Sequence, residues 1–182
     1  MERWEIEARL NRSRASLLET YAAMSAAERS RPATNSALNA EVEWTAGDHF
    51  LHIIDPEQQI VEAIRRQVAG EEFPYPVLFD AEGNRLSSDV FLPIIHARND
   101  TWLADHHDLT FDQIVALGAE VRARVLKLLS ELTVEQLAEP LRNMPWSVFA
   151  ANIGELFMLV AQHGESHYSQ AIKGVEARSA PA

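Results

Sequence analysis

The sequence contains no cysteine, and this absence excludes several kinds of chemistry. A disulfide framework, a cysteine nucleophile and a cysteine-type zinc site cannot be built from this chain. Any metal must therefore be held by histidine and carboxylate side chains. Any thiol chemistry must use a thiol that a substrate brings in.

Positive charge is also scarce, with 16 Lys and Arg against 27 Asp and Glu and a net charge of −11. Binding to a nucleic-acid backbone needs a basic surface, so the charge argues against nucleic acid and against anionic membranes as partners. No run approaches the roughly 18 apolar residues of a membrane span. The charged start, Met1 to Glu5, lacks the apolar core of a signal peptide. We therefore expect a soluble cytoplasmic protein. A small-molecule substrate is a separate expectation, because the charge does not indicate which partner is bound.

What the sequence does contain is typical of one globular domain. It has 182 residues, of which 47% are hydrophobic and 24% charged. This composition supports a substantial core and argues against extensive disorder. We expect residues 1–182 to form a single domain.

Hydrophobic periodicity predicts four long amphipathic helices. The first buries a stripe that includes Leu10, Leu17 and Tyr21 and leaves Arg14 mostly elsewhere. Thr45 and Thr110 are expected to cap the second and third helices, and Gly70 to end the second. The predicted ranges are 2 to about 30, 44–70, 111–132 and 152 to about 177. The pattern predicts an all-α four-helix bundle with a long crossover between the second and third helices.

Pro56 lies inside the second predicted helix. A proline removes one helical hydrogen bond and clashes with the carbonyl of the residue four positions earlier, here His52. The helix can kink there, or a new helix can start at Asp55–Pro56. We favour one kinked, nearly continuous helix, because Ile54, Val61 and Ile64 remain compatible with one buried side.

The crossover, residues 70–110, is the least regular part of the sequence. Asp80 to Asn84 forms a turn signal that could join two very short strands, and Asp89 to Leu103 is compatible with a short helix. A long structureless insert is unusual in a compact domain unless it covers a site.

Two histidines occupy core positions of the last helix. Leu156, Val160, His163 and His167 follow one another at helical spacing, so both imidazoles fall where the pattern asks for Leu or Val. One turn apart on one face, they can share a ligand, and a divalent metal would satisfy both rings at once. Glu165 is rotated by about 200° from His163, which predicts a surface carboxylate and excludes a zincin motif.

The residues alone leave the third ligand open between His49 and His52, which are three apart on the second helix. Asp48 and Asp55 are candidate carboxylate partners, as ligands or as acceptors behind an imidazole, although capping is the simpler role for both. His106 and His107, before the third helix, are given no ligand role. Trp44 and Trp146 are candidates for an apolar wall of the site, although simple packing would also explain them.

Two motifs resemble those of the DinB-like superfamily of metal-binding four-helix bundles. One is Trp44-Thr45 followed by His52, and the other is His163-x-x-x-His167-x-x-Gln170-Ala171-Ile172. The resemblance selects His52 over His49. It implies one divalent ion, nickel or zinc, bound by His52, His163 and His167, and a possible homodimer.

Characterised members of that superfamily include thiol-dependent S-transferases and maleylpyruvate isomerases that use mycothiol, bacillithiol or glutathione. The resemblance therefore implies a metal-dependent enzyme that activates a low-molecular-weight thiol. The alternatives are a metal-dependent hydrolase, a non-catalytic bundle that binds a metal or small ligand, and a purely structural role in which the histidines are core hydrogen-bonders.

Overall fold

The computed structural model describes residues 2–32, 34–35, 43–71, 80, 82, 84, 86–142 and 144–179. It is predominantly helical, as the sequence predicts. The helices are α1 (Arg3–Ala23), α2 (Ala26–Arg29), α3 (Ala46–Ala69), α4 (Ser88–Asp105), α5 (Phe111–Glu131), α6 (Val134–Leu137) and α7 (Ile153–Ser179), with a 3-10 turn at Pro145–Val148. Two strands of two residues, β1 (Thr34–Asn35) and β2 (Glu43–Trp44), pair antiparallel.

The long helices α1, α3, α5 and α7 form the body of the fold. Helix α1 packs mainly on α7, and α3 packs on both α5 and α7. Helix α3 thus packs on two of the other three long helices, and it reaches the third, α1, through the Arg14–Glu57 ion pair. The expected all-α fold is confirmed. Within the described part of the chain, no helix has both the length and the apolar character needed to cross a membrane.

The predicted caps of α3 and α5 are present. Thr45 accepts a hydrogen bond from the Asp48 backbone N–H, and the Asp48 carboxylate accepts one from the Thr45 N–H in return, which closes a capping box. Gly70 ends α3 in the left-handed conformation, with φ 75°. Thr110 caps α5 in the same way as Thr45 caps α3. Pro56 lies inside α3 without breaking it, so the continuous helix is correct and a restart is not.

The first helix is shorter than predicted. It ends at Ala23, and the separate short helix α2 follows, with Ser25 as its N-cap. The Arg29 side chain folds back and donates to the carbonyls of Tyr21 and Met24, which satisfies acceptors that the end of α1 leaves open. The predicted range of 2 to about 30 therefore spans two helices.

The crossover contains more helix than the sequence indicates. Helix α4 has 18 residues and covers the expected short helix at 89–103. It is fastened to α3 by the Arg98–Asp55 ion pair, at 3.2 Å, and by the Trp102 indole N–H, which donates to the Leu51 carbonyl at 2.8 Å. The turn at Asp80 is present, with its carboxylate accepting from the Asn84 N–H. The two predicted strands fall mainly on residues outside the described part of the chain.

In the described part of the chain, the core consists of two hydrophobic clusters that follow one another along the bundle. The first, which we call the lower cluster, contains Ile6, Leu10, Ile60, Val61, Ala63, Ile64, Val125, Leu128, Leu129, Leu132, Leu137, Met144, Ala150, Ile153, Leu156, Phe157, Val160 and Ala161. The upper cluster contains Leu17, Tyr21, Ala46, Phe50, Leu51, Ile53, Ile54, Ile114 and Val121. Arg14, Glu57 and Arg122 fall between the two clusters on α1, α3 and α5 and are buried.

Gly118 makes room for the buried side chain of Arg14. A Cβ at position 118 would lie 2.6 Å from Nη1 of Arg14 and 3.1 Å from the Phe50 ring. Arg14 cannot easily move aside, because its other terminal nitrogen is hydrogen-bonded to Glu57 at 2.8 Å. The absence of a side chain at 118 is therefore required by packing.

We expect Gly118→Ala to destabilise the protein by about 1–3 kcal/mol, the usual cost of overpacking, in spite of the better helix propensity of alanine. The matched control is Gly164→Ala, since its Cβ would meet nothing closer than Ile53, at 3.8 Å. That variant should be unchanged or more stable by up to about 1 kcal/mol. Urea unfolding of both variants measures the difference, and equal stabilities would contradict the packing argument.

Candidate metal centre

Helices α3 and α7 bring four histidines into one cluster, and three of them form a group of ring nitrogens that can hold a metal. His52, His163 and His167 each offer a ring nitrogen, and the three nitrogens all lie within 4.8 Å of one another. The ring centroids are 5.1 Å apart for His52 and His163, 4.5 Å for His52 and His167, and 4.6 Å for the α7 pair. His52 and His167 are buried, and His163 is partly exposed. Three imidazoles this close are arranged so that they can hold one metal ion.

The local sequence explains this arrangement. The capping box at Thr45 fixes the start of α3 seven residues before His52, and the helix continues past Pro56. On α7 the start is fixed by Asn152, whose side chain accepts from the Glu155 N–H at 2.9 Å. The two α7 histidines are four apart, so they stand one above the other on the face that packs against α3.

One atom of the cluster has an unmet hydrogen-bonding requirement. Nδ1 of His52 is buried and has no hydrogen-bond partner among the described residues. A buried polar atom without a partner is costly, and a native structure normally supplies one. A metal ion bound by the three imidazoles is the kind of group that the donor set fits, because neutral histidine is a common ligand of divalent transition metals.

The surroundings keep all three imidazoles neutral near pH 7. Burial lowers the pKa of His52 to about 3, with the neighbouring His163 and His49 adding to the effect. Burial also lowers the pKa of His163 to about 4, although the nearby Glu57 carboxylate acts in the opposite direction. The pKa of His167 is lowered as well, first by burial and then by the adjacent histidines. Neutral imidazoles keep the lone pairs that a metal needs.

Trp44 closes one side of the cluster. Its indole ring lies 4.9 Å from His52, 5.2 Å from His49 and 6.0 Å from His167, measured between centroids. The pairing of β2 with β1 holds the backbone of Trp44, and β1 itself contacts α7. Trp44 is 4% exposed, so it shields the imidazoles from water. It therefore packs directly on the imidazoles, and its role as an apolar wall of a substrate site stays a prediction.

His49 is part of the cluster but not of the three-nitrogen group. Its Nδ1 lies 3.1 Å from Nδ1 of His167, which is a hydrogen-bond distance. It is fully buried, and burial lowers its pKa to about 4, partly offset by Asp48. Of the two second-helix candidates, the structure thus brings His52 into the group with both α7 histidines and places His49 behind His167.

The candidate carboxylates have other partners. Asp48 completes the α3 capping box, and Asp55 is bound by Arg98 and by the Gln59 amide at 2.5 Å. Glu165 pairs with Arg9 on α1. Among the described residues, no carboxylate joins the three imidazoles. For Asp48 and Asp55, the structure therefore shows capping and tethering instead of metal ligation.

The remaining candidates lie elsewhere. His106 stacks on Trp102 at 3.7 Å between centroids, and Nδ1 of His107 lies 2.6 Å from the Ala104 carbonyl. Neither belongs to the three-nitrogen group. Trp146 packs against the lower cluster, near the start of α7, which agrees with the packing role.

A buried ionic network next to the site was not anticipated from the sequence. Glu57 accepts from Arg14 at 2.8 Å and from both Nε and Nη2 of Arg122, at 3.1 and 2.5 Å. Glu57 is 1% exposed. Each of the three charges interrupts an apolar stripe at helical spacing, but this pattern alone does not distinguish a buried charge from a solvated one. Arg14, for example, stands four after Leu10 and three before Leu17.

The fold and the cluster together define a class of protein, a helical bundle with a three-histidine site that can hold a metal. The chain belongs to the DinB superfamily, whose family model matches residues 9–171. Family membership and the helical fold agree with the resemblance identified from the two sequence motifs.

One solved structure is similar over almost the whole chain. It is the crystal structure of an uncharacterised protein from Escherichia coli UTI89, with a TM-score of 0.72 and 12% identity. The similarity covers 99% of this chain and 96% of the other. At this identity the comparison shows the fold alone. A comparison with curated proteins finds no match.

Proposed function

We propose that the protein is a metal-dependent enzyme that activates a low-molecular-weight thiol for S-transfer or isomerisation. The observation that carries the proposal is the His52–His163–His167 group, with its unpartnered buried Nδ1 on His52. These three residues would hold one divalent transition metal, nickel or zinc. Bound there, the ion would supply a Lewis acid that lowers the pKa of a thiol and favours the thiolate.

The chain's own residues fit this use of the site. It has no cysteine, so the reactive sulfur has to arrive with a ligand. All three imidazoles are uncharged donors, so a bound divalent ion would keep its full positive charge and attract an anionic thiolate. Trp44 and the buried histidines exclude water from one side of the site, which strengthens that attraction.

The same observations speak against the hydrolase alternative. A hydrolase needs a general base within hydrogen-bond reach of the attacking water. Glu57, whose charge acts on His163, has both carboxylate oxygens engaged by arginines. Asp48 and Asp55 are also engaged by other groups. A thiol starts from a pKa of about 8.5, against about 15.7 for water, so a thiol bound to the same metal would lose its proton to solvent without a protein base.

The metal site is tested by the metal content of protein purified without an affinity tag. We expect about one divalent ion per chain, and loss of that ion in His52→Ala and in His163→Ala, since two ligands hold a metal much more weakly than three. His107→Ala is the control, because His107 is exposed and bonded locally. Absence of metal from the wild type even after adding nickel or zinc would overturn the proposal.

The thiol is tested separately on cobalt-substituted protein. Glutathione and cysteine should each produce a sulfur-to-cobalt charge-transfer absorption, and S-methylglutathione, which has no ionisable thiol, should not. A metal that binds normally without any response to thiols would leave a metal-binding bundle and exclude the thiol-dependent activity.

A further inference from the structure

His49 faces His167 across the packed helices α3 and α7. The two Nδ1 atoms are 3.1 Å apart, and the ring centroids are 5.4 Å apart. His49 is 0% exposed, so water does not compete for this contact. The ring of His49 is also held by the Trp44 indole, which lies edge-on at 74° to it.

Two ring nitrogens at this distance form one hydrogen bond, and only one of them can carry its proton. In a neutral imidazole one nitrogen donates and the other accepts, so one of the two Nδ1 atoms must carry a hydrogen and the other must not. If His167 binds a metal, its Nδ1 is already engaged by His49, so the ligating atom is Nε2. The Nδ1 of His167 then carries the proton and donates it to Nδ1 of His49.

We propose that His49 is a positioning residue, whose Nδ1 accepts a hydrogen bond from His167 and fixes the tautomer in which His167 presents Nε2 to the metal. This inference rests on the proposed metal site. Metal-binding histidines normally donate their other N–H to a carboxylate, a carbonyl or water. Here the acceptor is a second, uncharged imidazole, so it orients the ligand without adding negative charge to the site.

This choice of acceptor has a chemical consequence. A carboxylate behind a histidine raises the basicity of the ligand and partly offsets the charge of the metal. A neutral imidazole raises the basicity of the ligand less and offsets less of the metal's charge. The three-histidine site therefore retains more of the positive charge that favours binding of a thiolate over a neutral thiol.

The experiment compares His49→Leu with His49→Asn. Leucine fills the buried space without an acceptor, whereas the asparagine side-chain amide places a polar atom near the position of Nδ1. Zinc affinity is measured by competition with a chelator, and urea unfolding of the metal-free variants checks that both fold. We expect His49→Leu to weaken zinc binding by about 10–100-fold and His49→Asn to stay within several-fold of the wild type.

A second measurement does not depend on affinity. Nitrogen-15 spectra of the zinc-loaded wild type should show His167 protonated at Nδ1, with a coupling to Nδ1 of His49 across the hydrogen bond. A His167 protonated at Nε2 would overturn the inference. Equal zinc affinity in the wild type and in His49→Leu would also overturn the inference. Equal weakening in both variants would overturn it as well, because it would mean that packing at position 49, and not the hydrogen-bond acceptor, determines zinc affinity. If the wild type binds no zinc, the proposed function fails, and the inference fails with it.

Discussion

Glu57→Gln is expected to lower the free energy of unfolding by about 3–5 kcal/mol, the usual cost of removing one partner from a buried ion pair. Among the described residues, Glu57 is the only negative charge in contact with Arg14 and Arg122, and all three side chains are less than a tenth exposed. The variant keeps the size of the side chain and one acceptor oxygen. It leaves two buried guanidinium groups without a counter-charge. Urea unfolding measures the loss.

The matched control is Glu62→Gln on the same helix. Glu62 pairs with Arg66 at 2.6 Å, but its side chain is 53% exposed. Exposed pairs contribute little, so this variant should stay within about 0.5 kcal/mol of the wild type. A loss below about 1 kcal/mol in Glu57→Gln would contradict the argument, because it would mean that water reaches the network and screens its charges.

Local sequence signals were sufficient to predict the helix caps and the shared face of the two α7 histidines. The capping residues Thr45 and Thr110 were predicted correctly, because a cap depends on residues within one turn of each other. The convergence of His163 and His167 on one face follows from helical spacing alone. The contact of both with His52 could not be derived from spacing, since it depends on how α3 packs against α7.

Other features depend on tertiary contacts that have no local signal. The end of α1 at Ala23 is fixed partly by Arg29, which folds back from the next helix. The full length of α4 is supported by two contacts to α3, from Arg98 to Asp55 and from Trp102 to Leu51. The sequence also placed Arg14 outside the buried side, because a single charged residue on a stripe is normally solvated. Only its pairing with Glu57, 43 positions later, explains its burial.

The stability of the metal-free protein is expected to depend strongly on pH. Burial lowers the pKa of His49 and His163 to about 4 and that of His52 to about 3, and it lowers that of His167 as well. In the unfolded chain each has a pKa near 6.5. Between these values the unfolded state binds protons that the folded state does not, so stability falls as the pH falls. In this window each histidine lowers the free energy of unfolding by about 1.4 kcal/mol for every unit by which the pH falls.

Metal-free protein should therefore be most stable above pH 6.5 and lose several kcal/mol on acidification to about pH 5, because four histidines act together. Urea unfolding in a chelator at a series of pH values gives the number of protons taken up, which should approach four. His49→Leu should reduce this number by about one. An uptake of one proton or none would mean that the histidine cluster is open to water, and the shielding that the proposed thiol chemistry needs would then be lacking.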